Sequence, residues 1–320
     1  DTGFAGDVFA LIWSARDRRL YALNSAGHAP SAWTPEYFTE QLGVDRVPYE
    51  GVNSATVPGA VSGYDALLER FGTLGFEETF ERAARIAEEG WGLGERRHRD
   101  LVAAADMLRR DADSMRTFLA DGEVPALYSI VRNPDLARAI RLLQQEGPSA
   151  FYEGAIADAI VAKVQASGGA MTHADLASFR SEWVEPISTN YHGYDVFQLP
   201  PPGQGFAALE MLNILENFDL AAMGHNTPAY IATVSEAMKI VTIDKDNKVG
   251  DPAFVEVPVG ELTSKAYAAE QAERIRRGEK ANVVRLNRGG EESRDTTHIC
   301  VADRDGNIVS VTHSLGAPSG

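Results

Sequence analysis

The residues best suited to chemistry lie in a predicted hairpin near the end of the chain. Two β-rich runs, residues 298–302 and 308–312, flank a turn-forming cluster in which Gly306 suits a positive φ. A three-residue loop would set the register so that Thr296 lies opposite Ser314, with both hydroxyls on one face of the hairpin. The sequence therefore predicts a pair of hydroxyl groups at the open end of two strands.

An internal threonine such as Thr296 can cleave its own chain. Attack of its hydroxyl on the preceding carbonyl gives an ester, and hydrolysis of this ester leaves a new N-terminus. The freed α-amine has a pKa near ~8 and can act as the base for the hydroxyl of the same residue. A neighbouring hydroxyl such as that of Ser314 would orient the nucleophile. The alternative is an ordinary hairpin whose threonines have only a structural role.

A longer pattern surrounds these residues. It starts at Asp295 and reads Asp-Thr-Thr-His-x-x-Val-x-Asp-x-Asp-Gly-Asn-x-Val-Ser-Val-Thr. This run resembles the start of the small subunit in the γ-glutamyltranspeptidase family, whose members are N-terminal-nucleophile hydrolases made as one precursor. The resemblance implies a cut between Asp295 and Thr296, Thr296 as the nucleophile, and Ser314 in the place of a supporting threonine. It also implies a four-layered α/β/β/α sandwich with a helix-rich large subunit.

The resemblance extends over essentially the whole chain. Segments similar to the family's large subunit are residues 3–11, 23–30, 54–59, 199–205 and 249–252. The resemblance implies that residues 1–295 are a large-subunit portion without its N-terminal part, that residues 296–320 begin the small subunit, and that both belong to one structural domain. The glycine pair that would stabilise the oxyanion is expected beyond Gly320.

The loop at residues 23–30 departs from the family where substrate is expected to bind. Transpeptidases have an arginine four residues before the proline of this loop, where a guanidinium can bind a glutamyl α-carboxylate in bidentate fashion. Here that residue is Ala26, and His28 stands where some relatives have an arginine. Gly316 stands where transpeptidases commonly have an asparagine. His28 and Gly316 are therefore candidate substrate-binding residues of an altered acyl pocket; alternatively, His28 is simply an exposed loop residue.

Composition narrows the choice of partners. With 46 acidic and 30 basic residues the formal charge is -16, which disfavours nucleic acid and anionic membranes as partners. The apolar run at residues 8–13 is too short to span a membrane. We expect a soluble protein, cytoplasmic or periplasmic/secreted, that acts on a small acyl amide. The resemblance implies two subunits cut from one precursor, with a homodimer of processed heterodimers as a candidate assembly.

No cofactor or metal is expected. Cys300 is the only cysteine, which excludes an intrachain disulfide and a cysteine-based zinc site. Residues 243–252 superficially suggest a calcium loop. Lys248, however, stands where an oxygen ligand is needed, and the glycine falls one place late.

The remaining pattern predicts the elements that must position the hairpin. Strands at residues 7–15 and 19–23 are apolar enough to be covered on two faces. Further strands are predicted at 183–190 and 195–199, and helices at 34–42, 59–71, almost throughout 77–166, and at 172–179, 206–217, 227 onward and 264–277. Residues 278–294 are polar and charged, as expected of an accessible connector that is cut.

Three functions are compatible with the sequence. We favour a self-processing, γ-glutamyltranspeptidase-like amidohydrolase or acyltransferase that cleaves a γ-glutamyl or related acyl amide through an acyl-threonine. A non-catalytic relative that serves as a binding or assembly module fits the missing substrate ligands, but not the retained hydroxyls at Thr296 and Ser314. A Ser/His/Asp hydrolase using Ser314 with His313 or His298 lacks a Gly-x-Ser-x-Gly nucleophile elbow.

Overall fold

A computed structural model describes residues 3–48, 51–283 and 296–315. The strands in these ranges are β1 (Asp7–Ser14), β2 (Arg19–Ser25), β3 (Trp91–Gly92), β4 (Ile130–Val131), β5 (Glu182–Val184), β6 (Ile187–Tyr191), β7 (Tyr194–Gln198), β8 (Thr297–Ala302) and β9 (Ile308–Ser314). The α-helices are α1 (Ala60–Phe71), α2 (Phe76–Glu89), α3 (Glu95–Leu108), α4 (Ala112–Phe118), α5 (Pro134–Glu146), α6 (Ser149–Tyr152), α7 (Ala155–Ala166), α8 (His173–Ser178), α9 (Gly205–Leu215), α10 (Leu220–Met223), α11 (Pro228–Lys248), α12 (Val259–Leu262) and α13 (Lys265–Arg276).

One five-stranded antiparallel sheet joins the two ends of the chain. Its strand order is β5-β2-β1-β9-β8, so the C-terminal hairpin pairs with the N-terminal hairpin through β9 and β1. Ala10, Ile12 and Leu23 are buried on this sheet and form a core with partly buried side chains of α1 and β9. Burial of this face specifies the register, because a one-residue slip would turn the apolar side chains toward solvent.

Two larger helical cores are built from residues that lie between β2 and β8 in the sequence. One is built from buried side chains of α1 and α5–α8, including Leu143, Phe151 and Phe179. The other joins α9, α11 and α13 around Ile214, Ile240 and other buried apolar residues. The starts of these helices follow from local chemistry: the side chains of Thr172, Thr227 and Ser264, for example, each accept a backbone N–H as an N-cap.

Several predicted elements have different limits in the structure. The strand predicted at residues 183–190 is split at Pro186, which has no N–H to donate, so β5 joins the main sheet while β6 pairs with β7. The helical stretch predicted at residues 77–166 is interrupted by β3 and β4, which pair with each other. The short helix predicted at 34–42 is a π-type turn at Tyr37–Gln41. Of residues 243–252, which superficially suggested a calcium loop, those up to Lys248 form the last part of α11.

Candidate active site

The predicted hairpin and its register are confirmed. Six pairs, from Thr297 with His313 to Ala302 with Ile308, form the β8–β9 ladder. The turn closes with a hydrogen bond from the Asp303 N–H to the Asn307 carbonyl at 3.0 Å. Gly306 has φ 86, the left-handed conformation that glycine adopts without steric cost.

Thr296 and Ser314 lie at the open end of this hairpin. Thr296 is exposed and directly precedes β8, and Ser314 is the last residue of β9. Continuing the observed register by one pair places them opposite each other. Side chains alternate along a strand, so both project on the face that also carries His298 and Thr312. On its other side β9 pairs with β1, where Asp7 is the partner of Ser314.

The Gly-rich N-terminal segment packs directly against the end of β9. A Cβ added at Gly6 would lie 2.2 Å from the Ser314 carbonyl oxygen, so no side chain can be accommodated there. The Gly6 carbonyl in turn accepts the backbone N–H groups of Gly59 and Ala60 at 3.1 and 2.8 Å. The start of α1, the N-terminal segment and the hydroxyl-bearing strand end are thereby held together.

Asp7 connects this corner to the loop at residues 23–30. Its Oδ1 accepts the Gly27 N–H at 2.7 Å, and the His28 carbonyl accepts the Val57 N–H at 3.0 Å. A Cβ at Gly27 would lie 1.7 Å from the Val57 carbonyl oxygen, so this close approach requires glycine. Burial raises the pKa of Asp7, and the hydrogen bond from Gly27 opposes part of that rise.

The two candidate substrate-loop residues have different settings. Ala26 offers no polar side chain at the position of the carboxylate-binding arginine. His28 is exposed; its Nδ1 lies 3.0 Å from the Ala29 carbonyl oxygen, and its ring centroid lies 5.4 Å from that of Phe179. The imidazole is thus placed by local contacts, and its role in substrate binding stays a prediction.

A row of polar side chains continues from Thr296 along the same face of the hairpin. The Nδ1 of His298 lies 2.8 Å from the Thr312 Oγ1, and its Nε2 lies 3.0 Å from the Ser310 Oγ and 3.3 Å from the Cys300 Sγ. The contacts with Thr312 and Ser310 cross to β9, whereas Cys300 lies two residues farther along β8, and together they occupy both ring nitrogens of His298. They do not form the imidazole–Ser314 contact that a Ser/His/Asp hydrolase would need from His298.

His313 projects on the opposite face of β9 and is therefore not the base for Ser314. Its Nε2 donates to the Gly3 carbonyl at 2.9 Å, because a carbonyl can only accept, and its Nδ1 accepts from the Tyr64 hydroxyl at 2.9 Å. Burial lowers the pKa of His313, against the effect of the bond to Gly3. This neutral imidazole holds the N-terminal segment against α1.

Two predicted site residues, Asp295 and Gly316, lie outside the described residues, as does the predicted connector from residue 284 onward. Within the described ranges, no three His, Cys, Asp or Glu side chains come together in a way that could hold a metal ion. Gly6 and Asp7 were missed as site residues by the sequence analysis. The available signal was a charged residue that begins an otherwise apolar strand directly after a glycine-rich run.

The class of protein follows from the sheet, its helical layers and the position of the hydroxyl pair. The fold is that of N-terminal-nucleophile hydrolases, as predicted. The structure is similar to that of cephalosporin acylase from Bacillus halodurans, with a TM-score of 0.85 and 32% sequence identity over 98% of this chain and 58% of that chain.

Within that class, the chain belongs to the γ-glutamyltranspeptidase family, whose sequence profile matches residues 1–320. It is 34% identical over 315 residues to the glutathione hydrolase-like YwrD proenzyme of Bacillus subtilis, covering 98% of this chain and 58% of that protein. It is also 34% identical over 308 residues to the acylase ACY 1 proenzyme of Pseudomonas sp. (strain SE83), covering 93% of this chain and 55% of that protein. The chain therefore spans a little over half the length of these relatives. No helix among the described residues combines the length and the apolar character that crossing a membrane requires.

Proposed function

We propose that this chain belongs to a self-processing amidohydrolase in which Thr296 is the nucleophile and Ser314 orients it. The observation that carries the proposal is the β8–β9 register, which directs Thr296 and Ser314 to one face at the open end of the hairpin. Membership of a family whose relatives are described as proenzymes supports a precursor that is cut into two subunits.

Processing would proceed by an acyl shift from nitrogen to oxygen. The Thr296 Oγ1 attacks the Asp295 carbonyl carbon, the bond to the Thr296 nitrogen breaks, and that nitrogen takes up the proton lost by the hydroxyl. Water then hydrolyses the resulting ester, leaving a carboxylate on Asp295 and a free α-amine on Thr296. Thr296 itself is exposed ahead of β8, which is compatible with a step that requires water.

Turnover would use the new α-amine as the general base. With a pKa near ~8, it takes the proton of the Thr296 hydroxyl as the oxygen attacks the acyl carbon of an amide substrate. The same proton then goes to the departing amine, and water or a second amine cleaves the acyl-threonine ester. The Ser314 hydroxyl, opposite Thr296 in the register, would hydrogen-bond the nucleophilic oxygen and keep it aimed at the substrate.

The acyl group is proposed to be γ-glutamyl or a related small carboxylate-bearing acid such as glutaryl, bound less tightly than in transpeptidases. A γ-glutamyl group presents an α-carboxylate and an α-amine, and the arginine that binds this carboxylate in transpeptidases is Ala26 here. Each charge-assisted hydrogen bond lost in this way is worth about 1.5–3 kcal/mol. A γ-glutamyl compound should therefore have little advantage over a glutaryl compound, which presents a carboxylate at the same position.

A pair of threonine variants tests the nucleophile. Purified Thr296→Ala is expected to remain a single chain, whereas wild-type protein gives two fragments, the smaller starting at Thr296. Thr297→Ala is the matched control, because Thr297 projects on the opposite face of the hairpin and should still be cleaved. Mass spectrometry of the incubated proteins locates the cut. A Thr296→Ala chain that splits at residue 295 would contradict the proposal.

A substrate panel then separates enzyme from binding module. The processed protein is tested with γ-glutamyl, glutaryl and simple acyl anilides, and the γ-glutamyl and glutaryl compounds are expected to give similar kcat/KM values. Normal self-cleavage with no turnover of any compound would favour a non-catalytic relative. A strong preference for the γ-glutamyl compound would overturn the expected loss of specificity but not the assignment of the nucleophile.

A further inference from the structure

A cavity of about 410 Å³ lies in the helical region formed by α3, α4 and the β3–β4 pair. It shares no element with the sheet that carries Thr296. Its apolar wall consists of Leu93, Leu101, Phe118 and Leu119, which belong to one hydrophobic core cluster. A volume of this size falls in the range of small-molecule binding sites, which are mainly apolar with a few placed polar groups.

The charged residues that line this cavity have one sign. Arg97, Arg116 and Arg132 line it, and none of the described lining residues is Asp or Glu. This is unusual in a chain with a net charge of -16. Arg116 is already paired with Asp113 and Asp135. Arg132, in contrast, makes no ion pair within the described residues, so its guanidinium is available to an incoming anion.

The loop that lines the cavity contains a strained residue. Tyr128, directly before the lining residue Ser129, has φ 66, a conformation that a bulky side chain rarely adopts. Strain of this kind clusters at binding and catalytic sites.

We propose that this cavity binds an amphipathic monocarboxylate, a molecule with an apolar chain and one carboxylate. The chain would lie on the leucine and phenylalanine wall. The carboxylate would face Arg132. A simple polyanion would leave the apolar wall uncovered, and a neutral apolar molecule would make no use of the guanidinium of Arg132.

Fluorescence titration tests the proposal, because Trp91 lines the cavity and is 39% exposed. Octanoate added to the purified protein is expected to change the tryptophan emission saturably, with octan-1-ol binding at least tenfold more weakly. Arg132→Gln should weaken octanoate binding at least tenfold. Arg110→Gln is the matched control, since Arg110 follows α3 but does not line the cavity, and it should change affinity less than twofold. Equal binding of octanoate and octanol, or equal effects of the two arginine variants, would overturn the proposal.

Two further measurements locate the ligand. In Trp91→Phe, calorimetry should still detect octanoate while the fluorescence change disappears; persistence of the change would overturn the proposed location. Tighter binding of a hexaglutamate peptide than of octanoate would overturn the monocarboxylate and indicate an acidic protein partner instead.

Discussion

The β8–β9 hairpin and the helical layer of α9, α11 and α13 place polar side chains in opposite ways. In the hairpin, hydroxyl and imidazole groups form a row on an accessible face, where His298 contacts Thr312 and Ser310 across the ladder. In the helical layer, Glu210 is fully buried, and the neighbouring Asp244 accepts hydrogen bonds from the Tyr267 hydroxyl and the Lys248 Nζ. The first arrangement keeps reactive groups accessible, and the second keeps ionisable groups from water.

The buried arrangement changes the protonation of its carboxyl groups. Neither oxygen of the Glu210 carboxyl accepts a hydrogen bond from a donor group. A hydrogen bond between the carboxyl groups of Glu210 and Asp244 therefore requires a proton on one of them. Burial, together with the charge of Asp244, raises the pKa of Glu210. Burial alone would also raise the pKa of Asp244, but hydrogen bonds from Lys248, Tyr267 and Glu210 hold it below its ordinary value. Glu210 therefore carries the proton and donates to Asp244.

In the hairpin, the alignment of the polar side chains determines function. In the helical layer, the burial of ionisable groups determines stability. Changes at the hairpin should then reduce processing and activity far more than they change folding. Changes at the carboxyl pair should do the reverse.

The largest effect is expected from Gly6→Ala. The added Cβ would lie 2.2 Å from the Ser314 carbonyl oxygen, so β9 must shift away from β1. Misplacement of a reacting group by about 1 Å can cost about a hundredfold in rate, and we expect at least that loss in self-cleavage, measured by fragment formation over time. In Gly3→Ala the new Cβ meets only the Leu315 side chain, at 3.4 Å, and processing should stay near wild type. Equal rates for the two variants would show that the alignment of β9 is not limiting.

Ser314→Ala should lower the turnover rate by about tenfold to a hundredfold, the range expected for one lost hydrogen bond to the reacting group. The free energy of unfolding should change little. Ser310→Ala removes a hydroxyl from the same face four residues earlier in β9 and serves as the control. The measurement is kcat with the best compound of the panel. Similar losses in both variants would mean that the hydroxyl row supports the hairpin as a whole and that Ser314 has no distinct role.

Asp7→Asn should raise KM severalfold with a smaller effect on kcat. The amide keeps an oxygen for the Gly27 N–H but loses the charge that strengthens this hydrogen bond, so the loop at residues 23–30 is held less firmly. Asp17→Asn is the control, because Asp17 lies in the turn between β1 and β2, where it bonds to Ser14 and Arg16. A loss confined to kcat would place Asp7 closer to the chemistry than the structure suggests.

Glu210→Gln should have the smallest effect on activity and a clear effect on stability. The raised pKa means that folded protein keeps a proton that the unfolded chain releases above about pH 4.5. The stability from this proton is complete below that pH and is lost as the pH rises toward the folded-state pKa. Glutamine does not titrate and can still donate to Asp244, so the variant should gain about 1–3 kcal/mol relative to wild type between pH 5 and pH 8.

Urea unfolding at several pH values measures this gain, and Glu216→Gln provides the opposite control. Hydrogen bonds from the His192 N–H and Lys265 lower the pKa of Glu216. Its contribution is therefore present above its ordinary pKa, so replacing it should weaken the fold slightly at neutral pH. Parallel pH dependence in wild type and Glu210→Gln would show that Glu210 is not protonated in the folded state.

Much of the site's framework could be predicted from the sequence because it depends on local chemistry. Gly306 marked the turn, strand alternation put Thr296 and Ser314 on one face, and the ladder follows the expected register. The caps at Thr172 and Thr227 likewise marked helix starts that the structure confirms. Each of these features is set within one short, continuous stretch of the chain.

Other features depend on contacts between distant segments and were not predicted. Nothing in the order of residues showed that β9 would pair with β1, and so Asp7 was not recognised as the neighbour of Ser314. Residues 243–252 superficially suggested a calcium loop. In the fold the part up to Lys248 continues α11, because Asp244 and Lys248 bond to each other and to Tyr267 of another helix.

The sequence by itself determined the family, the hairpin with its register, and the hydroxyl residue expected to act as the nucleophile, because a turn and an alternating strand are specified locally. Only the tertiary structure decided which strand lies beside β9, which groups hold the loop at residues 23–30, and which carboxyl retains a proton. Those outcomes depend on burial and on hydrogen bonds between segments far apart in the chain, and residue order alone does not specify them.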